Sequence, residues 1–145
     1  MLFCCAAMLF YGCGPANPYG TVAVTGAVTV DGKPMEGVTV AFVTTGEGMS
    51  AYGMTDASGN FKLTTAGAPF GTGAVPGTYS VTFEKVESSR EHVVAGDATS
   101  MSRSGPSEPT YHLPRKFGDP GTTGFDPVEV KARGKNHFEF NLETQ

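Results

Sequence analysis

The chain reads as a single all-β sandwich of about seven strands with long loops. Three observations point there. First, residues 21–42 alternate in two bursts: Val22, Val24, Val28 and Val30 fall on even positions, Thr21, Thr25 and Thr29 on odd ones, and Val38, Val40 and Phe42 resume the even phase. A period of two sets apolar side chains on one face of a strand and polar ones on the other. Second, the 145 residues contain 20 glycines and 10 prolines, the punctuation of frequent turns. Third, no stretch carries an apolar stripe at helical spacing, whereas short β-branched runs recur between turn signals. A chain of this length is long enough for one domain with a real core.

The first burst is expected to give two half-buried strands joined by a short turn. Asp31-Gly32-Lys33-Pro34 lies between them, and Asp-Gly supplies the positive-φ positions that a tight reversal needs. Ala51–Asp56 reads as a third strand with Tyr52 and Met54 in phase and directed inward. Thr55-Asp-Ala-Ser-Gly-Asn-Phe61 follows as a turn, its Asp56 bonding amides two or more residues on and its Gly59 taking the positive φ. A calcium loop through Asp56, Ser58 and Asn60 is the weaker reading, because an EF-hand needs further carboxylates and a distal Glu. Phe61 and Leu63 start the next inward face.

Residues 67–77 are rich in Gly, Pro and Ala and read as a loop that delivers Val75-Pro-Gly-Thr-Tyr79. Tyr79, Val81 and Phe83 then alternate inward, with the Tyr79 hydroxyl expected at the end of the sandwich. Residues 86–109 are serine-rich and charged, so they bury too little to offset ordering and read as a mobile surface loop. Residues 110–125 keep Tyr111, Leu113, Phe117 and Phe125 among turn residues. This segment is expected to fold over a sheet edge, where it would block pairing with other chains. Tyr111, Arg115, Lys116 and Phe117 are its candidate binding rim, cationic groups for an anion and aromatic ones for a sugar or peptide. Val128 and Val130 mark the penultimate strand. Residues 133–136 turn the chain, and Phe138, Phe140 and Leu142 face inward from the last strand with His137, Glu139, Asn141 and Glu143 outward.

The N-terminus carries a cellular address. Residues 1–12 are apolar and uncharged, too short for a bilayer-spanning helix, and fit the apolar part of a secretory leader. The leader lacks a basic start, so a true start codon upstream is expected. Gly12-Cys13 resembles the bacterial lipobox, in which a small residue precedes a cysteine that is lipidated after cleavage; Phe10 and Tyr11 depart from the usual residues of that motif. Lipidation of Cys13 is the expectation, with residues 13–20 as tether and 21–145 as the sandwich. Cleavage there removes Cys4 and Cys5 and leaves no free thiol for pairing, so the domain needs no disulfide. The residue after Cys13 is Gly14 rather than an acid, which by the lipoprotein family rule favours the outer membrane, facing periplasm or surface.

Taken together, Val28–Phe42, Thr55–Phe61, Val75–Tyr79 and Leu113-Pro-Arg-Lys-Phe117, followed by the closing strands, resemble the carboxypeptidase regulatory-like domain. This is a transthyretin-like (prealbumin-like) sandwich common among envelope lipoproteins of planctomycetes and related bacteria. The resemblance spans residues 21–143 and implies no cofactor, no metal and no enzyme activity of its own. The expected function is a non-enzymatic structural or interaction module, anchored to the membrane by the lipid on Cys13, with an envelope protein or a glycan as partner; the interaction role is inferred from the lack of a catalytic constellation.

Other functions find less support. The net charge of −4 and the absence of a basic run exclude a nucleic-acid backbone as partner. Transthyretin-like hydroxyisourate hydrolases end in Tyr-Arg-Gly-Ser, whereas this chain ends Asn141-Leu-Glu-Thr-Gln145, and His92, His112 and His137 fall on unrelated loop and strand positions. A carbohydrate- or peptide-binding module using residues 110–125 is the alternative. With no Trp in the chain, its aromatic candidates are Tyr111, Phe117 and Phe125. An internal isopeptide bond would need a buried strand lysine, and Lys62, Lys85 and Lys131 all fall out of phase with the inward residues.

Overall fold

The computed structural model describes residues 17–68, 72–87 and 109–145. Eleven strands occur among them: β1 (Val24–Val30), β2 (Lys33–Pro34), β3 (Thr39–Thr44), β4 (Ala51–Met54), β5 (Asn60–Lys62), β6 (Thr64–Thr65), β7 (Gly77–Glu84), β8 (Val86–Glu87), β9 (Thr110–Tyr111), β10 (Val128–Val130) and β11 (Asn136–Leu142). A short 3-10 helix spans Arg115–Gly118. The count exceeds the expected seven because several strands are only two or three residues long. The fold class is the expected all-β sandwich.

β1 is the axis of the first sheet. β11 runs parallel to it over its whole length, from Val24↔Asn136 to Val30↔Leu142. On its other side β1 pairs antiparallel with β5 and then with β2. The second sheet has the order β10-β7-β3-β4-β6, and β8 with β9 forms a separate two-stranded ribbon. Val24, Val28, Phe61, Phe140 and Leu142 from the first sheet meet Val40, Phe42, Val81, Phe83 and Val130 from the second, all buried. Phe140 sits at the hub, its ring 5.0 Å from that of Phe83 and 5.5 Å from that of Phe125, with Phe42, Phe61 and Phe138 each at 6.4 Å.

The expected opening hairpin is corrected. Asp31 (φ 50°) and Gly32 (φ 80°) do make the tight reversal, but it returns the chain for only two residues, Lys33 and Pro34. The chain then leaves for the other sheet, so β1 and β3 oppose one another across the core instead of pairing. Thr55 makes that crossing affordable in polar terms. Buried at 3% exposure, it donates its hydroxyl to the Met35 carbonyl (2.7 Å) and accepts from the Val38 amide (2.8 Å). Its own backbone bonds Gly37 and Val38. The Met35 carbonyl, the Gly37 amide and both backbone groups of Val38 are thereby paired, as burial demands. The closing pair separates in the same way, β10 to the second sheet and β11 to the first. Buried Asn136 bridges that turn by bonding both the amide and the carbonyl of Lys131 at 2.9 Å.

The phase of β4 is also corrected. Tyr52 and Met54 are 46% and 66% exposed, and Ala51 is fully buried. The register explains it: Ala51 lies opposite inward Phe42, which sends Tyr52, opposite Ala41, outward. Phe61, Leu63, Tyr79, Val81 and Phe83 point inward as expected. Thr21, expected on the polar face, is 7% exposed, and the strand proper begins only at Val24.

The turn at Asp56 forms as expected. Its Oδ1 accepts from the amides of Ser58 and Asn60, each at 2.9 Å, and Gly59 takes φ 78°. Within the glycine-rich stretch, Ala74 exchanges two backbone bonds with Val22, and Gly73 donates to the Leu63 carbonyl. Tyr79 closes its far end by donating its hydroxyl to the Val75 carbonyl at 2.6 Å, and burial raises its pKa. Of the expected mobile loop 86–109, Val86–Glu87 form β8 and residues 88–108 lie outside the described residues.

Candidate functional site

β10 pairs with only the first three residues of β7, Gly77 to Tyr79. Past Tyr79, β7 has β3 on one side and no strand on the other among the described residues. Residues 110–125 occupy this gap. The 3-10 helix packs on β7, and Leu113 (5% exposed) and Phe117 (3%) join the core, with Phe125 packed against it. The segment is held from within. Asp119 Oδ1 accepts from the Gly121 amide at 2.7 Å, and Thr122 donates its hydroxyl to the Lys116 carbonyl at 2.7 Å. The edge-covering role expected for this stretch is what its geometry performs.

Three of the four residues expected to form a rim lie on its outer surface. Tyr111 is 41% exposed, and the Arg115 guanidinium lies over its ring, 4.4 Å from the centroid. Arg115 and Lys116 are exposed. Phe117 is not a surface residue: its ring is in the core, with the Lys116 ammonium 4.8 Å from its centroid. Phe117 therefore props the rim from below. Tyr111, Arg115, Pro114, Asp119 and Glu84 line a groove of about 240 Å³. Arg–aromatic stacking fixes a guanidinium in place while leaving its N–H edge free for an anion or a carbonyl.

A second, larger concavity of about 370 Å³ lies over the first sheet, lined by Thr25, Met54, Asp56, Lys62 and His137 among others. Sequence reasoning missed it. Lys62, Thr25 and His137 become neighbours only through the β5–β1–β11 register, although each was legible as an outward residue of its own strand. The His137 Nδ1 lies 3.0 Å from the Thr25 hydroxyl, and its Nε2 lies 3.7 Å from the Glu139 carboxylate.

Of the described histidines, His137 is on β11 and His112 follows β9, with its Nε2 3.1 Å from the Glu87 carboxylate. His92 lies outside the described residues. Among the described residues no group of three or more His, Cys, Asp or Glu side chains is placed to hold a metal ion. Lys62 and Lys131 are exposed, and the Lys85 ammonium donates to the Glu36 carbonyl at 2.9 Å.

Asp31 sits at the first turn, bonded to the chain beyond β11. Its Oδ2 accepts from the Thr144 hydroxyl (2.6 Å) and its Oδ1 from the Thr144 amide (3.0 Å), and these bonds hold its pKa below the usual carboxylate value, with a smaller contribution from Lys116. The turn and the chain beyond β11 are thus fastened together.

Residues 1–16, with Cys13 and the leader, lie outside the described residues. Of the tether expected over 13–20, residues 17–20 form a turn pinned to the domain: the Asn17 side chain donates to the Thr21 carbonyl at 2.7 Å and accepts from the Thr21 amide at 3.2 Å. Among the described residues no helix is long and apolar enough to cross a membrane. Comparison of the chain with protein-family models, with curated proteins and with solved structures finds no match to any of the three.

Proposed function

We propose that this chain is a non-enzymatic, lipid-anchored envelope module of the carboxypeptidase regulatory-like kind, which presents the Tyr111–Arg115 rim to a partner. The observation that carries the interaction half is the rim itself. An exposed tyrosine is capped by an arginine on a segment that the core residues Leu113 and Phe117 hold rigid. Positioned cation–aromatic pairs on rigid supports are a recurrent means of recognition. His112 and His137 each face a different glutamate, Glu87 and Glu139, which supports reading them as surface side chains with local partners.

The anchor rests on the sequence around Cys13. Three residues, Gly14, Pro15 and Ala16, lie between Cys13 and Asn17, the first described residue. At roughly 3.5 Å per extended residue, a lipid on Cys13 would lie at most about 15 Å of chain from Asn17. A single acyl chain binds only marginally, so stable attachment needs the two or three chains that bacterial lipoproteins carry.

The test is intact mass and membrane fractionation of the protein beside Cys13→Ser in its native host. Lipid mass on a chain starting at Cys13, lost with membrane association in the variant, is the expected outcome. A soluble, unlipidated chain would overturn the anchor. For the rim, cross-linking in the intact envelope should capture the same partner from a photoreactive residue at Lys116 but not from one at Tyr52 on the outer face of β4. Equal capture from both positions would remove the rim's special role.

The carbohydrate reading keeps one supporting observation, the exposed Tyr111 ring, and one opposing it, the Arg115 cap over that ring. A glycan array against the folded protein distinguishes it from a protein partner.

A further inference from the structure

We infer that the free edge of β11 is a docking strand for an extended, lysine- or arginine-bearing segment of a partner protein. This surface is separate from the rim and depends neither on it nor on the anchor.

The backbone direction of β11 follows from its bonds. The Leu142 carbonyl accepts from the Asp31 amide, and the Phe140 carbonyl faces the Thr29 hydroxyl. A Cβ on Gly26 would collide with the Phe138 carbonyl oxygen. The even residues of β11 therefore spend their N–H and C=O groups on β1, and the odd residues, His137, Glu139 and Asn141, direct theirs to the opposite side. Among the described residues no hydrogen bond meets those odd backbone groups. An antiparallel strand laid there would complete them.

Among the described residues the edges at β2, β6, β10 and the unpaired half of β7 are blunted. β2 is two residues with a lysine and a proline, and β6 is also two residues. β10 is three residues, entered from Pro127 and left through Lys131. The unpaired half of β7 is covered by residues 110–125. Short strands, prolines, lysines and covering loops are the ordinary protections against unwanted pairing. Among the described residues β11 has neither a covering loop nor a proline or lysine within the strand, although Lys135 immediately precedes it. It is seven residues long, its register with β1 is unbroken by a bulge, and it contains no Pro, Lys or Arg.

The side chains define the occupant. The exposed face of the edge carries Glu139, 81% exposed, and runs on to Glu143. A strand beside it satisfies that charge with a basic side chain opposite Glu139, and the net charge of −4 favours its approach. On the core side, half-buried Phe138 offers an apolar step for the alternate residues of the incoming strand. The fitting segment thus alternates basic and apolar residues. A second copy of β11 fits less well: antiparallel pairing at full overlap sets Glu139 against Glu139, a like-charge pair on adjacent strands.

The test uses the full chain and the peptide acetyl-Lys-Val-Lys-Val-Lys-Val-Lys-amide, read by amide hydrogen exchange and by titration. Saturating peptide should slow exchange at the amides of His137, Glu139 and Asn141 by about tenfold or more. The same peptide N-methylated at alternate amides keeps its charge but cannot complete the ladder, and should not protect. Glu139→Lys, a change at an exposed position, should weaken binding by about fivefold to tenfold. Absence of protection would overturn the proposal, as would equal binding by the methylated peptide, which would reduce the effect to charge. Unaltered binding by Glu139→Lys would remove the basic partner. Protection that grows with protein concentration and without peptide would assign the edge to a second copy.

Discussion

β11 and β4 are both strands with alternating large residues, and they obey the alternation in opposite senses. In β11 the large apolar residues Phe138, Phe140 and Leu142 face the core, and His137, Glu139 and Asn141 face water. In β4 the large residues Tyr52 and Met54 face water, and Ala51 and Gly53 face in. The cause is the neighbour behind each strand. β11 looks across an open gap to Phe42 and Phe83, which big rings fill. β4 is closely backed by β5: a Cβ on Gly53 would stand 2.5 Å from the Lys62 carbonyl oxygen and 3.2 Å from the Leu63 side chain. Where another backbone passes that near, only small residues fit inward, and size ceases to mark the buried face.

The largest test of the contrast is Phe140→Ala. It removes the ring that five other aromatic rings touch, and should cost about 3–5 kcal/mol by chemical denaturation. Gly53→Ala comes next, with an expected loss of about 1–3 kcal/mol because Lys62 and Leu63 must move. An unchanged denaturation midpoint for Gly53→Ala would show that β5 does not set the phase of β4. Tyr52→Ser and Met54→Thr should each change stability by less than about 0.5 kcal/mol, as exposed substitutions do. A core-sized loss at either position would restore the inward phase that size alone predicts.

The smallest effect concerns the turn that ties β1 to the end of β11. Because its hydrogen bonds to Thr144 hold the Asp31 pKa below the ordinary carboxylate value, the folded state binds that proton less readily than the unfolded state. Its contribution is therefore complete above the unfolded carboxylate pKa and is lost as pH falls through the lower, folded one. Asp31→Asn should flatten that acid limb of the stability-versus-pH curve without altering stability differences between pH 6 and pH 8. An acid limb identical in the two proteins would show that Asp31 does not carry it.

Much of the candidate rim was readable in advance. Tyr111, Arg115 and Lys116 stood out as exposed chemistry in a turn-rich stretch whose apolar residues were expected to fold back over a sheet edge. Whether Phe117 belonged to the surface or the core was not readable, because a loop has no fixed period to assign a face. The Arg115–Tyr111 stack was equally hidden, since it depends on how the 3-10 helix turns after β9. The groove at Lys62, Thr25 and His137 was invisible for a different reason: its residues come from three strands that are distant in sequence.

Local chemistry determined the strands with a clean period of two, the Asp31-Gly32 reversal with both residues at positive φ, and the Asp56 turn with its carboxylate on two amides. These depend on steric preferences and hydrogen bonds within a few residues of chain, so the order of amino acids is sufficient to specify them. Only the tertiary structure decided which strands became neighbours. It sent β1 and β3 to opposite sheets, with Thr55 paying the polar cost of the crossing, and laid β11 parallel to β1. Pairing of distant strands is settled by complementary faces and by the completion of backbone bonds across the whole core, which no single stretch of sequence contains.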